Sequence, residues 1–317
     1  MLRIYYKKNT RLAKETDLDT LRDIPMENLV WVDLQNPTIE EKVTIETYFD
    51  IKYSSEEESQ EIESSSRFSE VDSEIIINSN FLTLRDNGFD YAPVSIILEK
   101  GILFTYRDED LKTFGESVKK IKANPSLYVN GFQILSIILE ICIDQDADLI
   151  ENIAKEITEL NKSLKATNEK VEEEDLLKIS SLLNDNMMLR ENIIDKQRMI
   201  SALLKSLTFP QEYMGNLRIM IKDISSLLEH NKFAFERLEY LQNTYMGLIN
   251  IEQNKIIKIF TVATVAFMPP TLIASIYGMN FNAMPELDWQ YGYLMAIMLM
   301  AISSLGTLLY FKKRKWM

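Results

Sequence analysis

Four hydroxyl side chains, Thr261, Thr264, Thr271 and Ser275, are the only ones in Ile259–Ile276 (IFTVATVAFMPPTLIASI), an 18-residue stretch without a charge. Steps of three and four from Asn254 pass through Ile257, Thr261, Thr264, Met268, Thr271 and Ser275, so all four hydroxyls share one helical seam. Hydroxyls in an apolar helix usually bond their own backbone or a neighbouring helix. A complete stripe is better explained by several copies around an axis, each presenting oxygen to a water-filled path. Met268-Pro269-Pro270 points the same way. Two prolines remove two donors and deprive the carbonyls of Val265 and Ala266 of helical partners. Lipid cannot satisfy those carbonyls, whereas a wet cavity or a packed neighbour can.

Directly after this stretch comes Tyr277-Gly278-Met279-Asn280. Gly278 permits a turn out of the helix, and Asn280 offers a neutral amide oxygen at its end. Magnesium surrenders its water reluctantly, so a ring of amide or carbonyl oxygens suits the hydrated ion. A carboxylate ring would hold it harder and slow its release. Glu286 and Asp288, just beyond, are placed to concentrate cations.

The elements that must carry these residues are two membrane spans, predicted at about 256–276 and 291–311, with an outer loop at 277–290. The second holds 21 uncharged residues, Tyr291–Phe311. At about 1.5 Å per residue either crosses roughly 30 Å of hydrocarbon. Lys255 and Lys258 flank the first span, Lys312-Lys313-Arg314-Lys315 follow the second, and the loop has neither Lys nor Arg. Both termini are therefore expected in the cytoplasm, with the chain in the plasma (inner) membrane. The charge is divided accordingly. Of a net −13, residues 255–317 carry +4 and residues 1–254 carry −17. An acidic body argues against nucleic acid and suits cations. One cysteine, Cys142, excludes a disulfide framework, and one histidine, His230, excludes His-cluster metal centres. Without a recognisable nucleophile, base or phosphate-binding loop, an enzyme or an organic cofactor is not expected.

The region Asn254–Met317 resembles the CorA family of magnesium channels. Met268-Pro269-Pro270-Thr271, Tyr277-Gly278-Met279-Asn280-Phe281, Met284-Pro285-Glu286-Leu287, Tyr291-Gly292-Tyr293 and the basic ending carry the resemblance. Trp31-Val32-Asp33-Leu34, Glu61–Phe68 and Pro93–Leu98 extend it, more loosely, over the whole chain. The resemblance implies a funnel-shaped homopentamer and a selectivity ring at Gly278, Met279 and Asn280. It further implies a hydrophobic constriction at Met268, a polar ring at Asn254 and apolar gating residues at Ile257 and Phe260. Thr264, Thr271 and Ser275 would complete the lining. It also implies regulatory Mg2+ between subunits, for which Asp223 with Asp86 or Asp90 are the positional candidates.

The body divides into a mixed α/β domain, 1–125, and a helical stalk, 126–254, followed by the membrane part, 255–317. Strands are expected at Leu2–Tyr6, Leu29–Val32, Glu74–Ile77, Phe81–Leu84, Val94–Leu98 and Ile102–Tyr106. Thr38 with Glu41 forms a capping-box pattern. Long helices are expected over Gly131–Thr167, Glu172–Leu207 and Gly215–Ile276, the last running into the membrane. Ser54–Ser66 reads as a solvated acidic run. Asp144, Asp146 and Asp148 lack the Gly and the Glu of a calcium loop.

The function expected is uptake of magnesium, with cobalt or nickel as further cargo, gated by cytosolic magnesium. Two alternatives stand beside it: a zinc transporter with the same Gly-Met-Asn ending, and a membrane-tethered coiled-coil structural or signalling protein.

Overall fold

The computed structural model describes residues 1–8, 11–54, 67–85, 88–166, 173–280, 284–286 and 288–314. Packing divides them into two units, one within residues 1–241 and one within 242–317.

The first unit is built on a seven-stranded sheet: β1 (Leu2–Lys8), β2 (Arg11–Glu15), β3 (Leu29–Gln35), β4 (Phe68–Val71), β5 (Glu74–Arg85), β6 (Gly88–Glu99) and β7 (Ile102–Arg107), in the order β2-β1-β3-β7-β6-β5-β4. Only β3 and β7 run parallel, and they lie at the centre. β3 (LVWVDLQ) is buried on both faces from Leu29 to Leu34, which explains its nearly unbroken apolar run. Pro93 is tolerated in β6 because it pairs with Asn80 on β5 but lies just past Val94, where pairing with β7 ends.

Helices cover both faces. α1 (Leu18–Leu21) and α2 (Ile39–Phe49) close a core of Ile4, Val32, Leu34, Ile45, Phe49 and Phe104. The predicted capping box is present: Thr38 Oγ1 accepts from the N–H of Glu41, and Glu41 Oε2 accepts from the N–H of Thr38 at 2.8 Å. On the other face Trp31 stacks on Tyr5 at 4.8 Å and tilts against Phe114 of α3 (Lys112–Ala123). α4 (Gly131–Ala166) and α5 (Glu173–Leu203) complete that layer.

Two strand expectations change. Glu74–Ile77 and Phe81–Leu84 are one strand, β5, joined through Asn78-Ser79-Asn80. Val94–Leu98 is the second half of β6, which begins at Gly88. The acidic run at 55–66 lies outside the described residues.

α6 (Met214–Tyr277, 64 residues) passes from the first unit into the second as one helix that contains Pro269 and Pro270. α7 (Gly292–Lys313) follows. Both helices have the length and composition to cross a membrane.

Candidate functional site

Within residues 242–317 α6 buries one narrow stripe. Beyond the buried Tyr245, Val262 and Ala266 are its buried positions, flanked by the half-buried Val265, Pro269, Pro270, Ile273 and Tyr277. α7 buries Gly292 and Ala296 at its start. Small residues on both helices permit close backbone approach.

The hydroxyl seam lies elsewhere. Asn254, Thr261, Thr264, Thr271 and Ser275 are exposed, as are Ile257 (62%) and Met268 (61%). At about 100° per residue the seam is centred roughly 150° around the helix from the buried stripe. Phe260 is exposed on its flank. The face opposite the buried stripe is therefore the one that carries polar oxygen.

The hydroxyls have a defined direction. Thr261 donates to the carbonyl of Ile257 at 2.8 Å, Thr264 to that of Phe260 at 2.9 Å and Thr271 to that of Phe267 at 2.8 Å. This is the backbone bonding familiar from membrane helices. It also fixes the chemistry of the surface. A hydroxyl has one proton and two lone pairs. With the proton spent inside the helix, each oxygen offers only acceptor character outward, which matches water around a cation.

Gly278 is required for a different reason from the one read in the sequence. Among the described residues only Gly88 and Gly101 are glycines with positive φ. Gly278 donates to the Ala274 carbonyl at 2.9 Å, and a Cβ there would stand 3.0 Å from that same oxygen. Close approach, rather than left-handed geometry, is what disfavours a side chain there. The N–H of Met279 then bonds Ile276 at 3.3 Å, which closes the helix and leaves Met279 and Asn280 exposed at its end. Gly292 has a related role: a Cβ would collide with the Glu286 carbonyl, so the loop rests on the first turn of α7. Glu286 and Asp288 are both exposed. Residues 281–283 and 287 lie outside the described residues.

The regulatory candidates are less coherent. Asp86 is outside the described residues. Asp90 is held by Arg85 at 2.9 Å. Asp223 is exposed on α6, close enough to Asp144 of α4 to help raise its pKa, after burial and Glu140. Sequence reasoning missed that neighbourhood, although Glu140, Asp144 and Asp148 fall on one helical face at i, i+4 and i+8. Among the described residues no group of three His, Cys, Asp or Glu side chains is arranged to hold a metal.

Asp146 is not part of that exposed face. It is buried against Lys196 at 3.4 Å and accepts from Asn192 at 2.9 Å. Cys142, beside this pair, is a buried core thiol pushed up to about 12, chiefly by burial. His230 is exposed.

An α/β body, a long helix continuing into a membrane span, and a second span after an exposed Gly-Met-Asn turn define a two-span membrane transport protein. The sequence model of the family described as "CorA-like Mg2+ transporter protein" matches residues 26–313, and the chain belongs to that family. The "Magnesium transport protein CorA" of Wolinella succinogenes is 41% identical over 100% of both chains. The protein of the same name from Escherichia coli K12 is 35% identical, again over 100% of both. The complete structure of a CorA magnesium transporter from Methanocaldococcus jannaschii matches with a TM-score of 0.82 at 21% identity, covering 100% of this chain and 99% of that one.

Proposed function

We propose that this protein carries magnesium into the cytoplasm through a pore formed by five copies of α6. In this reading residues 1–125 form the cytoplasmic domain, 126–254 the stalk and 255–317 the pore. The exposed seam carries the proposal. Thr261, Thr264, Thr271 and Ser275 are exposed opposite the stripe that α6 buries, and the three threonines are oriented as acceptors. An acceptor stripe has little use against lipid and suits a file of hydrated cations. Family membership and the names of the full-length relatives support magnesium as the cargo.

Gly278, Met279 and Asn280 form the selectivity ring in this reading. The amide of Asn280 contacts the ion through its waters, and Glu286 and Asp288 raise the local cation concentration. Asn254, Ile257, Phe260 and Met268 supply the polar ring and apolar constrictions below. Cobalt and nickel, close to magnesium in hydrated size, follow as secondary cargo. The termini lie in the cytoplasm and the chain in the plasma membrane, consistent with the basic flanks. Magnesium bound between the cytoplasmic bodies closes the pore. A zinc carrier is disfavoured by the scarcity of soft ligands, one Cys and one His. A tethered coiled-coil protein gives no reason for the seam.

The test is divalent flux into proteoliposomes, with magnesium, cobalt, nickel and zinc compared with and without a pH gradient. Magnesium influx saturable by magnesium is expected. Zinc influx without magnesium influx would overturn the assignment.

A further inference from the structure

The hairpin of β1 and β2 sets Lys8 directly opposite Arg11. Opposed residues of an antiparallel pair share a face, and like charges so placed are destabilising. Several cations of the sheet and its covering helices are matched: Arg3 and Arg107 meet Asp33, Arg85 meets Asp90, and Lys196 meets Asp146. Among the described residues neither Lys7, Lys8 nor Arg11 has a carboxylate within 4.0 Å.

The trio borders a cavity of about 880 Å³. Its origin is in the sheet register. β1 runs on to Lys8, but β3 begins at Leu29, opposite Tyr6, so on the side away from β2 no strand continues beside Lys7 and Lys8. The gap is walled by the segment before β3 and by residues 125–129. Tyr6, Ile24 and Tyr128 give it apolar and aromatic surface. Glu15 and Asp23 also border it, and Glu15 accepts a long hydrogen bond, 3.4 Å, from the Tyr6 hydroxyl. The volume falls in the range of small-molecule sites.

We propose that this cavity binds a nucleoside polyphosphate, its phosphates on Lys8 and Arg11, which share one face of the hairpin, and its ring system against the tyrosine faces. Arginine and lysine at one rim supply the charge-assisted donors phosphate needs. Bound anion also relieves the Lys8–Arg11 repulsion, so binding and local stability are linked.

The full-length protein in detergent, in metal-free buffer, is titrated calorimetrically with ATP, adenosine and inorganic tripolyphosphate, and its melting is followed with each. ATP is expected to bind and raise the melting temperature, tripolyphosphate to bind more weakly, and adenosine not to bind. Lys8→Gln with Arg11→Gln removes the repelling pair without burying anything. Its ligand-free melting temperature should hold or rise while ATP affinity falls about tenfold or more. Lys232→Gln, an exposed lysine away from the cavity, should leave ATP binding unchanged. Adenosine or tripolyphosphate binding as tightly as ATP, ATP affinity retained in the double variant, or no ATP binding by the unmodified protein would each overturn the proposal.

Discussion

Asp33 on β3 and Arg107 on β7 form an ion pair at 3.0 Å between the two parallel strands, with each side chain 1% exposed. The rest of their hydrogen-bonding capacity is used. Asp33 accepts from Arg3 at 3.0 Å and from the Thr105 hydroxyl at 2.8 Å, while Thr105 accepts from the Trp31 indole at 2.9 Å. The guanidinium lies 4.3 Å from the Phe114 ring centre. A buried pair so fully partnered tolerates the interior, but each member depends on the other.

Removing one partner should therefore cost more than removing both. Arg107→Met is expected to destabilise the body by about 2–4 kcal/mol, because the buried carboxylate of Asp33 is left with Arg3 and Thr105 alone. Asp33→Leu combined with Arg107→Met should recover much of that loss. Denaturant melts of the two variants decide it. Equal or additive losses would mean the pair is not coupled.

A second expectation concerns acid stability. Glu70 on β4 accepts from the backbone N–H of Thr208 at 2.8 Å. Hydrogen bonds from Thr208, its hydroxyl foremost, hold the carboxyl below its usual 4.5. A lowered folded pKa means a contribution present above about 4.5 and lost as pH falls through the folded value. The stability gap between the protein and Glu70→Gln should then be widest near neutrality and close toward pH 3. A gap independent of pH would show that the bond does not favour the ionised form.

Much of this architecture is legible in the sequence, and the exceptions have physical causes. Trp31-Val32-Asp33-Leu34 reads as a strand, but nothing local announces that Asp33 is paired with a residue 74 positions on. β5 reads as two strands because Asn78-Ser79-Asn80 interrupts its apolar pattern. The interruption is stabilised from outside: Ser79 is buried and donates to Asp195 of α5 at 2.9 Å. β2 (RLAKE) has no β-branched residue and is an edge strand, so it leaves little propensity signal. The seam on α6 is visible because five polar residues fall among its seven helically spaced positions. Where its hydroxyl protons go, and how closely the Ala274 carbonyl approaches Gly278, are matters of ångström distances that spacing does not encode.

Asn280→Ala tests the selectivity ring. The side chain is exposed at the end of α6 and takes no part in the core, so assembly should survive. Magnesium uptake should fall to background in flux assays while the oligomer still migrates normally on gel filtration. Unimpaired uptake by an assembled variant would remove Asn280 from the mechanism.

Met268 tests the constriction. An apolar ring narrows a pore partly by excluding water. Met268→Ser is expected to raise the leak measured under closing conditions, with little effect on folding because the side chain is 61% exposed in the single chain. An unchanged leak would shift the barrier to Ile257 or Phe260.

The proposed regulation by cytosolic magnesium rests on charge and linkage. Residues 1–254 carry −17, so bodies brought together repel, and screening beyond about 8–10 Å does not help carboxylates that face each other directly. A cation that binds better between closed bodies shifts the population toward the closed state. Millimolar magnesium should therefore protect the body from protease and reduce current in the same concentration range. Neutralising Asp223 together with Asp86 and Asp90 should weaken both effects. The geometry within one chain adds a sharper comparison. Asp90 is already neutralised by Arg85, whereas Asp223 shares its surroundings with Asp144. Asp223→Asn alone should thus shift the magnesium dependence more than Asp90→Asn alone, and Asp144→Asn should add to Asp223→Asn. If protection and inhibition persist unchanged in the triple variant, the ion binds at other carboxylates. If magnesium gives neither effect in the unmodified protein, closure by bridging of acidic bodies fails as a mechanism.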